Sequence, residues 1–157
     1  MKILDVGCGI RGRGDVNVDL FFGEVNKTDF LCGDMYIDPS RAKNPIKADV
    51  CRLPFRDKSF DIVLCYHLLE HVDNYVKAIR ELTRVARRLV IIRVPHRLHP
   101  DARKVRGHKH FFNKKFFTML LEKMGYCVYE VKNRYNFQLL NPISYLIPCE
   151  IEVRIYL

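Results

Sequence analysis

Residues 5–19 read DVGCGIRGRGDVNVD, and how this stretch is read decides the fold. It follows the apolar run KILDV (2–6) and contains G-x-G-x-x-G as Gly7, Gly9 and Gly12. In a dinucleotide-binding unit the third glycine opens a helix whose N-terminus receives the pyrophosphate, and an acidic residue follows about twenty residues later. Here a second strand-like run, DVNVDL (15–20), begins too soon for that helix. The spacing predicts a parallel crossover made by an extended loop, with the helix after the first strand shortened or absent. A pyrophosphate thereby loses its main anchor.

Outward from this stretch, strand and helix patterns alternate without repeats or linkers. PIKADV (45–50) is a third short strand, and FDIVLCY (60–66) and RLVIIRV (88–94) are near-continuous apolar runs, the pattern of central parallel strands covered on both faces. Residues 74–88 place Val76, Ile79, Leu82, Val85 and Ala86 at helical spacing, with Asp73 or Asn74 as N-cap. A second amphipathic helix runs from the cap Asn113 to a stop at Gly125. Residues 126–137 and 148–157 read as an antiparallel pair at the sheet edge. The expected fold is α/β, doubly wound and mostly parallel, with ligands at the carboxyl ends of the strands. The length of 157 residues, 48% of them hydrophobic, suits a single domain over 1–157. Without a signal-peptide pattern or an apolar span the expectation is a cytoplasmic protein with no membrane partner. The six cysteines stand singly, so neither a zinc knuckle nor a disulfide framework is indicated.

A nucleoside without phosphates needs glycines that let backbone approach it and a carboxylate that accepts from its ribose hydroxyls. S-adenosylmethionine is such a ligand, and its cationic sulfonium suits the acidic Asp5 and Asp19 flanking the turn. DVGCG (5–9), NVD (17–19), AD (48–49) with LPF (53–55), FDIV (60–63) and HLLEHV (67–72), followed by a helix and VIIRVPH (90–96), stand in order. Together with HKHFFNKKFFTMLLEKMGY (108–126) they resemble the motifs of the class I S-adenosylmethionine-dependent methyltransferases, close to short archaeal members without an assigned substrate. The resemblance implies a Rossmann-like, seven-stranded sheet with an antiparallel C-terminal hairpin, and methyl transfer as the activity.

Carried over residue by residue, the resemblance implies that Asp5, Gly7, Cys8 and Gly9 form the turn against the methionine part of the cofactor. Asp19 receives the ribose diol, and Asp49 accepts from the adenine amine with the backbone of Val50 beside the ring. Cys65 and His67 line the floor near the methyl group. MYIDPS (35–40) also reads as a strand ending in an acid, so Asp38 competes with Asp19 for the ribose. Asp19 is favoured because residues 11–34 make a poor helix, and residues 21–44 are then expected to form an irregular excursion partly covering the cofactor.

HLLEH (67–71) matches the H-x-x-E-H zinc pattern, which requires both histidines on one helical face. His67 directly follows a strand, so that spacing fails at the first ligand and no metal is expected; Glu70 and His71 read as helix-start packing and capping. After the fourth strand stands CYHL rather than the Asn/Asp-Pro-Pro-aromatic turn of adenine amino methylation, and the Pro-Cys pair, Pro148 and Cys149, lies in the C-terminal tail. Displacement at a sulfonium can proceed by positioning, with at most one base; His67 and His96 are the candidates.

Residues 93–115 hold eight Lys or Arg, four His and one acidic residue, within a chain of formal net charge +9. After the fifth strand, this segment suits an anionic acceptor such as RNA, with His110, Phe111 and Phe112 available for stacking. No helix precedes the first strand, so the site is expected to be open to a macromolecule or completed by a protein partner. Three functions fit: a methyltransferase on RNA or another anion, a non-catalytic partner subunit of the same fold, and a small-molecule or protein methyltransferase.

Overall fold

The structure, a computed structural model, describes residues 1–30, 33–105, 107–135 and 148–157. Strands β1 (Ile3–Val6), β2 (Val16–Asp19), β5 (Pro45–Lys47), β6 (Phe60–Tyr66), β7 (Ala86–Pro95), β8 (Tyr129–Arg134) and β9 (Glu150–Tyr156) form one sheet in the order β5-β2-β1-β6-β7-β9-β8. β1, β2, β5, β6 and β7 pair in parallel, whereas β9 runs against both β7 and β8. The C-terminal pair thus closes the sheet with β8 at the edge and β9 inserted beside β7. Residues 136 and 137, expected at the end of the first strand of this pair, lie outside the described residues.

The crossover from β1 to β2 contains no helix. Residues 7–15 return as a loop pinned to the strand they leave: the Asp15 N–H donates to Ile3 O at 2.8 Å, and Asp15 Oδ2 accepts the Ile3 N–H at 3.0 Å. Asn17 braces the loop from β2, accepting the Gly14 N–H at 3.0 Å and donating to Lys43 O at 2.6 Å. Gly14 is the glycine that this path requires. A Cβ there would stand 2.5 Å from Val16 O and 2.7 Å from Asp5 N, both backbone atoms that cannot swing aside.

Residues 21–44 are more regular than the sequence suggests. β3 (Val25–Phe30) and β4 (Gly33–Tyr36) form an antiparallel hairpin apart from the main sheet, followed by a 3-10 turn at Pro39–Arg41. Its base is held by a small cluster of Cys8, Phe22 and Ile37, against which Ile10, Phe21 and Met35 pack. The polar run VNKTDF of β3 lacks the apolar alternation that marks a half-buried strand. A ribbon that pairs with itself needs little of it.

Helix α1 (Tyr75–Val85) starts where Asn74 Oδ1 accepts the Lys77 N–H at 2.9 Å. It buries Ala78, Ile79, Leu82 and Val85. It stops three residues short of the expected end, because Ala86 turns extended and pairs with Phe60, so that helix passes into β7 with no linker. The basic segment contains an unexpected short helix, α2 (Pro100–Lys104). Helix α3 (Lys114–Lys123) is capped by Asn113 as expected, and Gly125 leaves it at φ +84°.

α1 and α3 lie on the same face of the sheet, for Thr83 Oγ1 is 2.7 Å from the Tyr126 hydroxyl and the rings of Tyr75 and Phe116 meet at 5.8 Å. That face is the core: Val63, Cys65, Val90, Ile92, Val153 and Ile155 are buried there with Ile79, Leu82, Phe117 and Leu121. Each such side chain contributes roughly 1.5–3 kcal/mol through removal from water. Among the described residues, the coverage expected on both faces of β6 and β7 is complete only here. Ile62, Leu64, Leu89 and Ile91, which alternate with the core residues, remain half-buried among the described residues.

Candidate cofactor and acceptor cleft

A cleft of about 1100 Å³ opens at the carboxyl ends of β1, β2 and β6. Its first wall is the glycine turn. The Gly7 and Cys8 N–H groups both donate to Val18 O, at 2.8 and 3.1 Å, which folds the turn over the end of β2. Gly7 and Gly9 have φ of +72° and +55°, a region costly for residues with a Cβ. At Gly7 a Cβ would also press on Leu68 at 2.9 Å, whereas at Gly9 it would meet open space.

Asp19 ends β2 and fastens this turn. Its Oδ2 accepts the Gly9 N–H and its Oδ1 the Phe21 N–H, both at 2.9 Å. Although only 8% exposed, the residue borders the cleft, and each carboxylate oxygen keeps a further lone pair for a ligand. Across the cleft, Asp49 Oδ1 accepts the Cys51 N–H at 2.8 Å, and Val50 lies beside it. Gly7, Cys8, Gly9, Asp19, Asp49, Val50 and His67 are brought together along one cavity.

Four expected residues stand elsewhere. Asp38 spends its carboxylate on capping, accepting the Ser40 N–H at 2.9 Å and the Ser40 hydroxyl at 2.7 Å, and it does not line the cleft. Asp5 is fully buried beneath the turn, where Oδ2 accepts the Arg13 N–H at 2.9 Å; burial raises its pKa despite Arg13. Cys65 points into the core, not the cleft floor, and burial pushes its thiol well above the ordinary value. The neighbouring Tyr66 reaches the cleft instead, with the guanidinium groups of Arg93 and Arg13 at 4.4 and 5.2 Å from its ring centre. His96 is buried off the cleft, its Nδ1 accepting the Leu98 N–H at 3.3 Å, and burial lowers its pKa. It packs the start of the basic segment rather than facing an acceptor.

His67 does border the cleft, in a left-handed turn at φ +53°, but its charge state does not suit a base. Burial alone lowers its pKa. Glu150, 2.8 Å from Nε2, and Glu70, 3.6 Å from Nδ1, outweigh this and push the value up to about 9. At neutral pH the ring is an imidazolium. Glu150 begins β9, so the C-terminal strand contributes directly to the site. Cys149, expected in the C-terminal tail far from where a cytosine C5 nucleophile would sit, borders it too, but burial and the Glu150 charge raise its thiol pKa. Cys8, pushed up to about 12 chiefly by burial, is likewise a poor nucleophile.

HLLEH does not present two ligands on a helical face, since His67 sits in the turn and only Leu69–His71 form a 3-10 helix. Glu70 and His71, expected at helix-start packing and capping near the rim of the site, do line the cleft, but the cap of α1 is Asn74. Opposite them lies His108 from the basic segment, its ring centre 4.8 Å from that of His71. Of the aromatic residues expected to stack on an acceptor, His110 packs edge-on against Tyr75 and Phe112 is buried. Phe111 is 51% exposed. No helix among the described residues is long and apolar enough to cross a membrane.

Comparison with known proteins identifies the family and the fold. Residues 4–92 match the family model described as a methyltransferase domain. An uncharacterized protein of Methanocaldococcus jannaschii is 33% identical over 91 residues, covering 53% of this chain and 35% of that protein. Ajmaline N-methyltransferase of Rauvolfia serpentina is 30% identical over 115 residues, covering 64% of this chain and 37% of the enzyme. The chain thus spans little more than a third of the curated relatives it matches. In fold it is similar to an S-adenosylmethionine-dependent methyltransferase of Thermotoga maritima, with a TM-score of 0.70, 17% identity and coverage of 99% and 81% of the two chains. A structure of the Haloferax volcanii Trm112 methyltransferase activator in complex with its partner also matches, with a TM-score of 0.70, 14% identity and coverage of 98% and 80%. The family's cofactor is S-adenosylmethionine, and the residues present fit it: a glycine turn open at Gly9, a carboxylate at Asp19 with lone pairs to spare, and a second at Asp49 across the cavity. The chain belongs to the class I S-adenosylmethionine-dependent methyltransferases.

Proposed function

We propose that the chain moves a methyl group from S-adenosylmethionine to an anionic acceptor, RNA being the macromolecular candidate, that approaches over residues 93–115. The observation that carries this reading is the joining of Asp19 to the glycine turn at the mouth of a cleft of about 1100 Å³. When bound, the cofactor supplies an electrophilic methyl group on a sulfonium. The chain's own residues do the rest. Gly7, Cys8 and Gly9 would hold the amino acid end, Asp19 the ribose hydroxyls, and Asp49 with the backbone of Val50 the adenine. Leu68 and Tyr66 also line the cleft and would help keep water from the methyl group. Positioning of this kind supplies a large part of the rate for an in-line displacement.

Arg97, Arg103, Lys109, Lys114 and Lys115 are exposed along the segment that follows β7. Arg106 lies outside the described residues. With Phe112 and His110 committed to packing, recognition rests more on charge than on stacking, and binding should weaken steeply with salt. Incubating the chain with methyl-labelled cofactor and fractionated RNA, protein and metabolites tests the reading. Label in RNA is expected; label confined to metabolites or protein moves the chain to another acceptor class, and no transfer at all with intact cofactor binding supports a non-catalytic subunit.

A protein partner is a second reading, favoured by the half-buried Ile62, Leu64, Leu89 and Ile91 on the sheet face opposite α1 and α3. The Haloferax volcanii neighbour was itself solved with an activator protein. Transfer that appears only after adding a partner fraction supports it.

A further inference from the structure

We propose that Glu70, His71 and His108 bind a divalent transition-metal ion in the wall of the cleft. One carboxylate oxygen of Glu70 and one ring nitrogen from each histidine lie within 4.8 Å of one another. Three nitrogen and oxygen donors of this kind suit zinc, cobalt or manganese, with ligand distances of about 2.0–2.2 Å after a modest contraction of the site.

Two independent features point to a ligand here. Glu70 is 1% exposed, and neither of its carboxylate oxygens has a hydrogen-bond partner among the described residues. A buried carboxylate without a hydrogen bond is costly. The His67 ring lies 3.6 Å from Oε1, an ion-pair distance, but its close approach at 2.8 Å goes to Glu150. The second feature is the orientation of the two imidazoles. His71 Nδ1 is 2.9 Å from Gly107 O, and His108 Nδ1 is 2.7 Å from Ala102 O. A carbonyl oxygen only accepts, so each Nδ1 carries a proton, which leaves Nε2 as the nitrogen of each ring that can bind a metal. Metal-ligating histidines are held by this same hydrogen bond to backbone carbonyls.

The backbone clamps the two halves of the site together. Glu70 O accepts the Lys109 N–H at 2.7 Å and the His110 N–H at 3.2 Å, while His110 Nε2 meets Val72 O at 2.9 Å. His108 therefore cannot drift from Glu70 without straining the bonds made by the two residues that follow it. All three ligands border the cleft, so positions left open on the ion face it. An ion held by three protein ligands commonly takes a water or a substrate oxygen in such a position. The binding site itself stands without the methyl-transfer reading; only the identity of what occupies the open position rests on it.

The test is titration of the tag-free full chain with Co²⁺, followed by its visible absorption and by Zn²⁺ competition, alongside calorimetry of S-adenosylhomocysteine. Expected is one equivalent of Co²⁺, displaced by Zn²⁺, with affinity reduced at least tenfold in Glu70→Gln and in His108→Asn, and S-adenosylhomocysteine bound by the wild-type chain with or without the metal. His108→Asn serves where removal of the buried charge unfolds Glu70→Gln. Absence of Co²⁺ and Zn²⁺ binding at millimolar concentration, or equal affinity in wild type and His108→Asn, overturns the proposal and leaves Glu70 as the buried partner of His67. Either result can occur with cofactor binding intact, so it does not bear on the methyltransferase reading.

Discussion

Asp19 Oδ2 accepts the Gly9 N–H at 2.9 Å, and this bond ties the end of β2 to the turn that ends β1. The carboxylate that shapes the glycine turn also borders the cleft. In a dinucleotide fold those two tasks belong to a helix N-terminus and a separate acid. Here nine loop residues, 7–15, replace the helix, and the acid lies within reach of the turn itself.

The loop's tightest point is Gly14, not the three glycines of the sequence pattern. Gly14→Ala is expected to cost about 3 kcal/mol, since its Cβ would meet backbone atoms at 2.5 and 2.7 Å. Gly9→Ala, with open space around its Cβ but φ of +55°, is expected to cost about 1 kcal/mol. Urea unfolding monitored by circular dichroism ranks the two; equal costs would show that the loop is not pinched at Gly14.

Acid should loosen the junction between α1 and the segment before β6. Glu81 Oε2 accepts the Leu53 N–H at 2.9 Å, and both its oxygens meet Arg84, which also donates to Phe55 O at 2.8 Å. These bonds, those from Arg84 first, hold the Glu81 carboxyl below its ordinary value. Its contribution is therefore full above the unfolded-state pKa of about 4.3 and fades as the pH falls through the lower folded value. Glu81→Gln should destabilise by about 1–3 kcal/mol at pH 7 and by distinctly less near pH 3, as read from denaturant midpoints at the two pH values.

Most of the sheet is legible in the sequence because β1, β2, β6 and β7 are short apolar runs ending in polar or glycine residues, and α1 and α3 carry asparagine caps. The departures from expectation share a cause. FDIVLCY is apolar at nearly every position, so alternation cannot show that Cys65 enters the core while Tyr66 turns to the cleft. The hairpin of β3 and β4 lacks an apolar stripe, which makes residues 21–44 look irregular. Glu150 meets His67 across 83 positions in the chain, and His108 meets Glu70 across 38; pairings of that range leave no local pattern. That Asp19 rather than Asp38 borders the cleft is legible because only Asp19 follows the glycine turn at once.

Charge on the segment after β7 should govern acceptor binding without touching the cofactor. Arg97→Glu and the pair Lys114→Glu with Lys115→Glu are expected to weaken RNA binding and to lower the slope of log affinity against log salt by about 0.7–0.9 for each phosphate no longer neutralised. S-adenosylhomocysteine affinity should stay within twofold. Filter binding across a salt series measures the slope, and an unchanged slope would move the acceptor away from this segment.

The most direct test of Asp19 as the carboxylate that holds the cofactor is calorimetric titration of S-adenosylmethionine into the wild-type chain, Asp19→Asn and Asp38→Asn. Expected are one site in the wild type, at least tenfold weaker binding in Asp19→Asn from loss of a charged hydrogen-bonding group, and affinity within twofold of wild type in Asp38→Asn. No binding by the wild type at millimolar cofactor, or a loss in Asp38→Asn that matches or exceeds that in Asp19→Asn, would contradict it.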